Sequence, residues 1–307
     1  MPNFKNIALL GATGNLGSRI LIALNKAGFT VTAVQRKDST NVANGAAQSL
    51  KVDLSSEAEL TSAFKNQDVV VSALPYPRLA TDKIWMAAAI KSDVTRIVPS
   101  EYSTNLENVT AQKLPIVHDK VEIRKYVEEL ASSGKIEWSS VNNGPFLVPQ
   151  FWLTGFLGPN LKAKTANYHD GGHKIVATST LERIAEGVAA SLLPENVVKT
   201  KNKPAYIYSA ALSERKVADI VSKLIGGVTF EENDLSIEKI TKDAFAAYEG
   251  GDRSHNFGFY IPFCFGDGYG GDFRDISMNK DLGLKEMSDA EVENLFTSFL
   301  KEMGFSQ

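Results

Sequence analysis

Three glycines near the start of the chain have the spacing of a phosphate-binding turn. Gly11, Gly14 and Gly17 follow the short apolar run at 7–10 and precede a segment with helical periodicity. A glycine turn between a strand and a helix allows close approach of the backbone to a pyrophosphate, and the helix N-terminus then faces the phosphate charge. The spacing is G-x-x-G-x-x-G and not the commoner G-x-G-x-x-G. Its position after the first strand predicts a dinucleotide site, the alternative being a tight turn that binds nothing.

Two cations stand at the end of the second apolar run, at Arg36 and Lys37, with Asp38 after them. An NAD site usually places an acid here for the ribose 2′-hydroxyl, whereas the 2′-phosphate of NADP is bound by cations. Arg36 offers a planar fork of donors and Lys37 a point charge. The pattern favours NADP(H) over NAD, the alternative being a solvated strand end.

One lysine lies on the apolar face of a predicted helix. No tyrosine of the nine has a lysine four residues later, so the usual Tyr-x-x-x-Lys pair is absent from the sequence. Lys120 instead shares a stripe, at spacings of three and four, with Ile116, Ile123, Val127 and Leu130. Such a lysine points into a cleft, where its pKa falls, or extends its ammonium from the helix end into solvent. The pattern leaves both open.

These residues need elements that bring them together, and the first half of the chain alternates between two periods. Short, mostly β-branched apolar runs at 7–10, 30–34, 50–52, 69–74, 96–98 and 136–141 predict buried strands. Helical patterns lie between them at 16–27, 56–64, 82–92 and 116–132. This alternation predicts an α/β fold with a Rossmann-type, doubly wound parallel sheet.

The second half is less regular. We expect residues 1–150 to form the dinucleotide-binding domain and 151–307 a smaller substrate region, partly interwoven with the sheet. Helices are predicted at 180–193, 213–225 and 288–303, the last with a capping box at Ser288 and Glu291, and a strand at 205–209. The Gly- and aromatic-rich stretch 250–275 has no period and predicts a long ordered loop. Seven aromatic residues could line a substrate pocket or belong to the core: Phe151, Trp152, Phe156, Phe259, Tyr260, Phe263 and Phe265.

Composition excludes several classes of protein. The 307 residues carry 33 basic against 36 acidic side chains, a net charge of −3 that argues against nucleic-acid binding. The single cysteine, Cys264, excludes an internal disulfide and a cysteine-based zinc site. His169 and His173 lie on a Gly-Gly loop without a third ligand, so no metal is predicted. No apolar stretch is long enough to span a membrane or to form a signal sequence, and we expect a cytoplasmic monomer or homodimer that acts on a small molecule.

Several segments of the chain resemble the isoflavone reductase-like family, the NmrA-related branch of atypical short-chain dehydrogenases. They are GATGNLG at 11–17, Arg36, RIVPSEY at 96–102, and KVEIRK at 120–125. The run VNNGPF at 141–146 is similar to the family's loop beside the nicotinamide. The resemblance covers residues 5–155 well and the rest in outline. The chain departs from the family's P-S-E-F-G signature at Tyr102 and Ser103.

The resemblance implies NADPH-dependent reduction of conjugated or benzylic positions in phenolic and other secondary metabolites, with Lys120 as general acid or as the residue that orients substrate. The glycines and Thr13 would hold the pyrophosphate, Arg36 the 2′-phosphate, and Asp53 with Leu54 the adenine. Taken with the patterns above, the predicted cofactor-binding residues are Gly11, Thr13, Gly14, Asn15, Leu16, Gly17, Arg36, Lys37, Asp53, Leu54, Ala73, Leu74, Pro75, Asn143, Gly144, Pro145 and Phe146.

Further alternatives remain at this stage. Tyr102 is a second catalytic candidate that could add a phenolic donor or only pack, and His118 is a third that could reach substrate or only be solvated. NmrA-like regulators that sense the cofactor without turnover can keep a lysine at this position. A redox-neutral isomerase or cyclase on the same fold is the third possible function.

Overall fold

The computed structural model describes residues 3–305. In the first half, strands and helices alternate as β1 (Asn6–Leu10), α1 (Asn15–Lys26), β2 (Thr30–Arg36), β3 (Gln48–Val52), α2 (Glu57–Ala63), β4 (Val69–Ser72), α3 (Leu79–Lys91), β5 (Arg96–Val98), α4 (His118–Ser132), β6 (Glu137–Asn142) and α5 (Pro149–Trp152). Two 3-10 turns, Ala111–Lys113 and Pro115–Val117, precede α4.

The second half adds smaller elements. These are β7 (Pro159–Asn160), β8 (Thr165–His169), β9 (Val176–Thr178), α6 (Leu181–Ser191), β10 (Lys203–Tyr206), β11 (Ala210–Leu212), α7 (Glu214–Leu224), β12 (Glu231–Leu235), α8 (Ile237–Glu249), α9 (Tyr260–Phe265) and α10 (Asp289–Glu302). The predicted capping box of α10 is present, because Ser288 and Glu291 each accept from the other's backbone N–H.

A seven-stranded sheet forms the centre, in the order β10-β6-β5-β4-β1-β2-β3. All six pairings are parallel, which confirms the predicted doubly wound sheet. The strand order reverses between β1 and β4. The strands that follow β1 are added on one side of this point, and the strands that follow β4 are added on the other. Ligands of such sheets bind in the crevice at the carboxyl ends of the strands at this reversal.

Helices cover both faces of the sheet. Apolar residues of α1 and α6 pack on one face, and those of α2, α3 and α4 pack on the other. All residues of β4 and β5 are buried, as expected for strands covered on both sides. Strand β10 and helix α6 both come from beyond residue 150, so the second half of the chain supplies part of the central sheet and its covering helices. The proposed boundary at residue 150 therefore falls inside this layered structure.

One expectation for the second half is wrong. The stretch 250–275 is not an aperiodic loop: it contains a 3-10 turn at Asn256–Phe259 and the helix α9. Five of the six residues of α9 are buried, so the helix has no exposed face to give it a polar period. Strand β12 and helix α8 have no counterpart in the sequence prediction. The predicted strand at 205–209 lies slightly earlier, in β10.

No helix among residues 3–305 combines the length and apolarity needed to cross a membrane.

Candidate active site

The glycine turn joins β1 to α1 at the reversal of strand order. Gly11 has a φ of 79°, and a Cβ there would lie 2.6 Å from the Ala73 carbonyl oxygen. A Cβ on Gly17 would lie 2.0 Å from the Gly11 carbonyl oxygen. Gly14 differs, because a Cβ there would meet only that oxygen, at 3.4 Å. Gly11 and Gly17 are therefore required for packing, while Gly14 faces open space.

The start of α1 is arranged to accept an anion. Gly14 is its N-cap and offers no side-chain acceptor. The first-turn amides of a helix have no intrahelical partner, so those of Asn15 and Leu16 point into the open side of the turn. Thr13, Asn15 and Leu16 are exposed or half-buried around this space. A helix N-terminus of this kind stabilises a bound anion.

A cavity of about 270 Å³ lies beside the turn, at the carboxyl ends of β1, β3 and β4. Its lining residues are Leu10, Leu54, Ser55, Leu60, Leu74, Thr81, Asp82, Ile84 and Trp85. The predicted residues Leu54 and Leu74 are among them. Burial raises the pKa of the Asp82 carboxyl, which accepts hydrogen bonds from the Trp85 indole and the Arg78 amide. The apolar slot is suited to a planar nucleobase.

The two strand-end cations have different surroundings. The Lys37 amino group lies 2.5 Å from a Glu59 carboxylate oxygen, and this hydrogen bond raises the pKa of Lys37. Glu59 also accepts from the Asp53 amide at 2.9 Å. The exposed Arg36 lies 3.7 Å from Asp38, a looser contact. The Lys37 ammonium therefore already has a close carboxylate partner, whereas the Arg36 guanidinium has only a loose one.

The loop after β6 is fixed mainly by its backbone. The amides of Asn143 and Gly144 donate to the Ser103 carbonyl oxygen at 2.7 and 3.1 Å. Gly144 has a φ of 70°, and a Cβ there would lie 1.7 Å from the Ala177 carbonyl oxygen, so no other residue fits. The Asn143 Oδ1 atom is buried without a donor among the described residues.

The next two residues of this loop are also held by hydrogen bonds. The Pro145 and Phe146 carbonyls accept from the Thr178 hydroxyl and the Trp152 indole, at 2.7 and 3.1 Å. The Phe146 ring is half-buried. At the end of β4, Ala73 and Leu74 are half-buried and Pro75 is exposed.

Lys120 lies in the first turn of α4, which begins two residues later than predicted. Its stripe partners Ile123, Val127 and Leu130 are buried, and Lys120 itself is half-buried. The Nζ atom donates to the Tyr102 carbonyl oxygen at 3.3 Å. Burial lowers the pKa of Lys120 to about 8, and the nearby Glu101 carboxylate opposes this shift. The group is suited to proton transfer near neutral pH.

The other two catalytic candidates have different settings. The buried Tyr102 hydroxyl donates to the Ser72 carbonyl oxygen at 3.1 Å, and burial raises its pKa. His118 is exposed, 3.9 Å from Glu122 at the start of α4. The side chains of His118, Asp119 and Glu122 lie close enough to bind one cation together. Charged groups of this kind are ordinary in the first turn of a helix.

A buried ion pair beneath Lys120 has no counterpart in the sequence reasoning, although both members stand in the segments that carry the family resemblance. Arg124 donates to Glu101 from Nε at 2.9 Å and from Nη2 to the other carboxylate oxygen. It also donates to the Ser140 hydroxyl at 3.0 Å. The signal in the sequence was a charged residue on the apolar stripe one turn after Lys120.

The aromatic residues divide into two groups. Four of the seven aromatic residues are buried in the core and therefore do not line a pocket: Trp152, Phe259, Phe263 and Phe265. The half-buried Phe151, Phe156 and Tyr260 join the exposed Phe257 in what we call the aromatic cluster. Its ring centroids lie 5.6–6.1 Å apart.

Two contacts place this aromatic cluster near the start of α4 and near the end of β4. The 3-10 turn that carries Phe257 packs against Pro115–Val117, directly before α4. The exposed Tyr76, which follows β4 with a φ of 51°, lies near Tyr260 and, after burial and Cys264, contributes to raising its pKa. Sequence reasoning missed Phe257 and Tyr76 because neither has a periodic context.

Comparison with known proteins agrees with this arrangement. The profile of the NmrA-like family matches residues 3–244. The chain belongs to the NmrA-like family. The predicted family resemblance is thereby confirmed.

Curated relatives of this NmrA-like chain include reductases. A protein named oxidoreductase aprR from Aspergillus flavus is 31% identical, over 96% of this chain and 98% of that protein. The phenylcoumaran benzylic ether reductase Betv6 of Betula pendula is 27% identical, over 79% of this chain and 82% of that protein. These names agree with the enzyme class that the sequence predicts.

Solved structures share the fold of this NmrA-like chain. A crystal structure of isoflavone reductase has a TM-score of 0.74 at 19% identity, covering 96% of this chain and all of that one. The leucoanthocyanidin reductase–NADPH complex from Vitis vinifera has a TM-score of 0.76 at 15% identity, covering 96% and 99%. At these identities the likeness establishes the fold.

Proposed function

We propose that this NmrA-like protein is an NADPH-dependent reductase of an aromatic or polyketide-like metabolite, with an enone, a quinone-like carbonyl or a benzylic position as the reducible group. The observation that carries the proposal is the setting of Lys120. Its amino group, with a pKa of about 8, contacts the Tyr102 carbonyl. The next residue, Ser103, holds the loop of Asn143 and Gly144.

The chain's residues fit NADPH along one path across the crevice. The open space at Gly14 would take the pyrophosphate, the cavity lined by Leu54 and Leu74 the adenine, and Arg36 the 2′-phosphate. The loop that Asn143 and Gly144 form after β6 would lie beside the nicotinamide. When bound, NADPH would supply the hydride.

Lys120 provides what the reduced substrate needs next. Addition of hydride to a polarised double bond leaves negative charge on oxygen or carbon, which a nearby ammonium stabilises. With a pKa of about 8, Lys120 is mostly protonated at neutral pH and can donate its proton. The aromatic cluster offers ring faces and edges for a planar substrate, since such pairs prefer offset or edge-on contacts.

The first expected result concerns the wild-type protein. NADPH fluorescence should change on binding, and NADPH should then be consumed when enones and quinone-like metabolites are added, faster for aromatic members than for aliphatic ones of equal reactivity. Binding without consumption across the panel would contradict the reductase proposal and favour a cofactor sensor. Conversion of a substrate at constant NADPH would favour a redox-neutral isomerase or cyclase.

A second expected result concerns the choice of cofactor. Arg36→Ala should weaken NADPH binding about 10–150-fold, corresponding to ~1.5–3 kcal/mol for a charge-assisted contact, and leave NADH binding unchanged. The matched control is Lys37→Ala, which should have a smaller effect because Glu59 already pairs with Lys37. Titration of both nucleotides measures this. Equal affinity of the wild type for NADPH and NADH would refute the assignment.

A further inference from the structure

We propose that the buried Glu101–Arg124 ion pair is a positioning element that fixes the Lys120 amino group against the Tyr102 carbonyl and keeps that group protonated until a substrate takes the proton. The catalytic value of this positioning rests on the proposed function, but the effect of the ion pair on Lys120 can be measured without substrate or cofactor.

The pair is held in one geometry. Glu101 is 3% exposed and Arg124 5%. The guanidinium donates to both carboxylate oxygens and to Ser140, and its centre lies 4.7 Å from the centroid of the Trp138 ring. Buried ion pairs can often be replaced by apolar residues without loss of stability, because removing two charges from water is expensive. Fold stability alone therefore gives little reason for this pair.

The pair reaches Lys120 from two sides. Arg124 stands one helical turn after Lys120 on the same side of α4. Glu101 immediately precedes Tyr102, whose φ of 26° is unusual for a residue with a side chain. The Tyr102 carbonyl is the acceptor for Lys120 Nζ, at 3.3 Å. The ion pair thus joins the helix that carries Lys120 to the loop that carries its acceptor.

The charges around Lys120 are unequal in effect. Burial lowers the pKa of Lys120, and the Glu101 carboxylate is the charged group that raises it again. Further titratable groups near Lys120 include Asp119, Glu122 and His118 on its own helix, Tyr102 in the loop that carries its acceptor, Asp82 on α3, and Tyr206 on β10. Burial keeps Tyr206 neutral by raising its pKa. Glu101 is therefore the carboxylate through which the ion pair acts.

The experiment measures the pKa of Lys120 by the pH dependence of its acetylation with trace acetic anhydride, read by mass spectrometry of the peptide. The wild type should give a midpoint of about 8. Glu101→Gln should lower it by about 1–3 units, since an opposite charge is lost. Arg124→Met should raise it, because Glu101 then has no partner but Lys120. The double variant should fall between the two.

The control and the contrary outcomes are equally specific. The buried Arg96 forms another ion pair with the half-buried Glu137, 2.7 Å away at the opposite end of β5, and Glu137→Gln should leave the midpoint unchanged. If every variant moves Lys120 toward the ordinary value of a lysine, or none moves it, the pair only supports the fold and the proposal is wrong. The double variant buries no charge, so it keeps the comparison available where a single variant does not fold.

Activity provides an independent second measurement. The alkaline limb of the pH profile, where Lys120 loses its proton, should shift in the same direction as the acetylation midpoint, with KM for NADPH unchanged. A wild type without turnover would contradict the proposed reductase and leave the acetylation result intact. The two proposals can thus fail separately.

Discussion

Replacing Lys120 by alanine should lower turnover about 10²–10⁴-fold while NADPH still binds, because a general acid typically contributes this much. The loss should fall on kcat more than on the KM for NADPH, since Lys120 is proposed to act on the reacting substrate. Steady-state kinetics with an aromatic substrate from the panel, beside a fluorescence titration of NADPH, measures both quantities.

Two further substitutions separate proton transfer from charge. Lys120→Arg keeps the charge, but the much higher pKa of arginine makes it a poor proton donor, so it should remain impaired if proton transfer matters. Lys120→Met keeps the apolar stem and removes the amine. In the wild type the native pKa of about 8 lies below the unfolded value near 10.5. The unfolded chain therefore binds more protons between these values, and stability should rise with pH in that window only when Lys120 is present.

The opposite outcome would remove the catalytic role from Lys120. Full turnover per folded molecule in a stable Lys120→Ala protein would rule out the catalytic role and direct attention to His118 or Tyr102. A structural lysine would give a lower melting temperature with unchanged turnover. Circular dichroism and thermal unfolding of each variant distinguish these cases.

Replacing Gly14 by valine should abolish NADPH binding and leave the fold intact. The side chain would enter the open space that the pyrophosphate is proposed to occupy. The backbone can accept a valine here, because Gly14 has an extended conformation. A Cβ at this position would lie 3.4 Å from its nearest neighbour, the Gly11 carbonyl oxygen. Losing a favourable N-cap residue should cost about 1 kcal/mol. Fluorescence titration and thermal unfolding give the two measurements.

Gly17→Ala is the matched control for this glycine. Its Cβ would lie 2.0 Å from the Gly11 carbonyl oxygen, so the turn itself must move. This variant should lose stability and binding together, whereas Gly14→Val should lose binding alone. Undiminished NADPH affinity in a folded Gly14→Val protein would place the nucleotide elsewhere.

The parts of the fold that could be predicted are those with a strong local period. The buried strands of the first half, helix α1 and the capping box at Ser288 each depend on residues close in sequence, and the structure has them near their predicted positions. Helix α9 could not be predicted in this way, because it is buried on nearly every side. Strand β12 has a polar sequence and is held by backbone pairing with β8.

The candidate site was only partly visible in the sequence for a related reason. The stripe around Lys120 and the glycine turn are local patterns. Glu101 and Arg124 are 23 positions apart and meet only because the segment after β5 and helix α4 come together when the chain folds. The pairing of Lys37 with Glu59 likewise depends on how α2 packs beside β3, the neighbour of β2 in the sheet, and no spacing in the sequence predicts it.

The position of β10 has a consequence for the order in which the chain can fold during synthesis. Strand β6 carries the Asn143 loop at its end and is paired on its outer side by residues 203–206. Helix α6, which covers α1, is made earlier but also lies beyond the first 150 residues. A nascent chain released only as far as the end of β6 would present an unpaired strand edge and an uncovered first helix. The crevice at the end of β6 therefore reaches its final form only after residue 206 has left the ribosome. Until then the edge of β6 is open to pairing with strands of other chains.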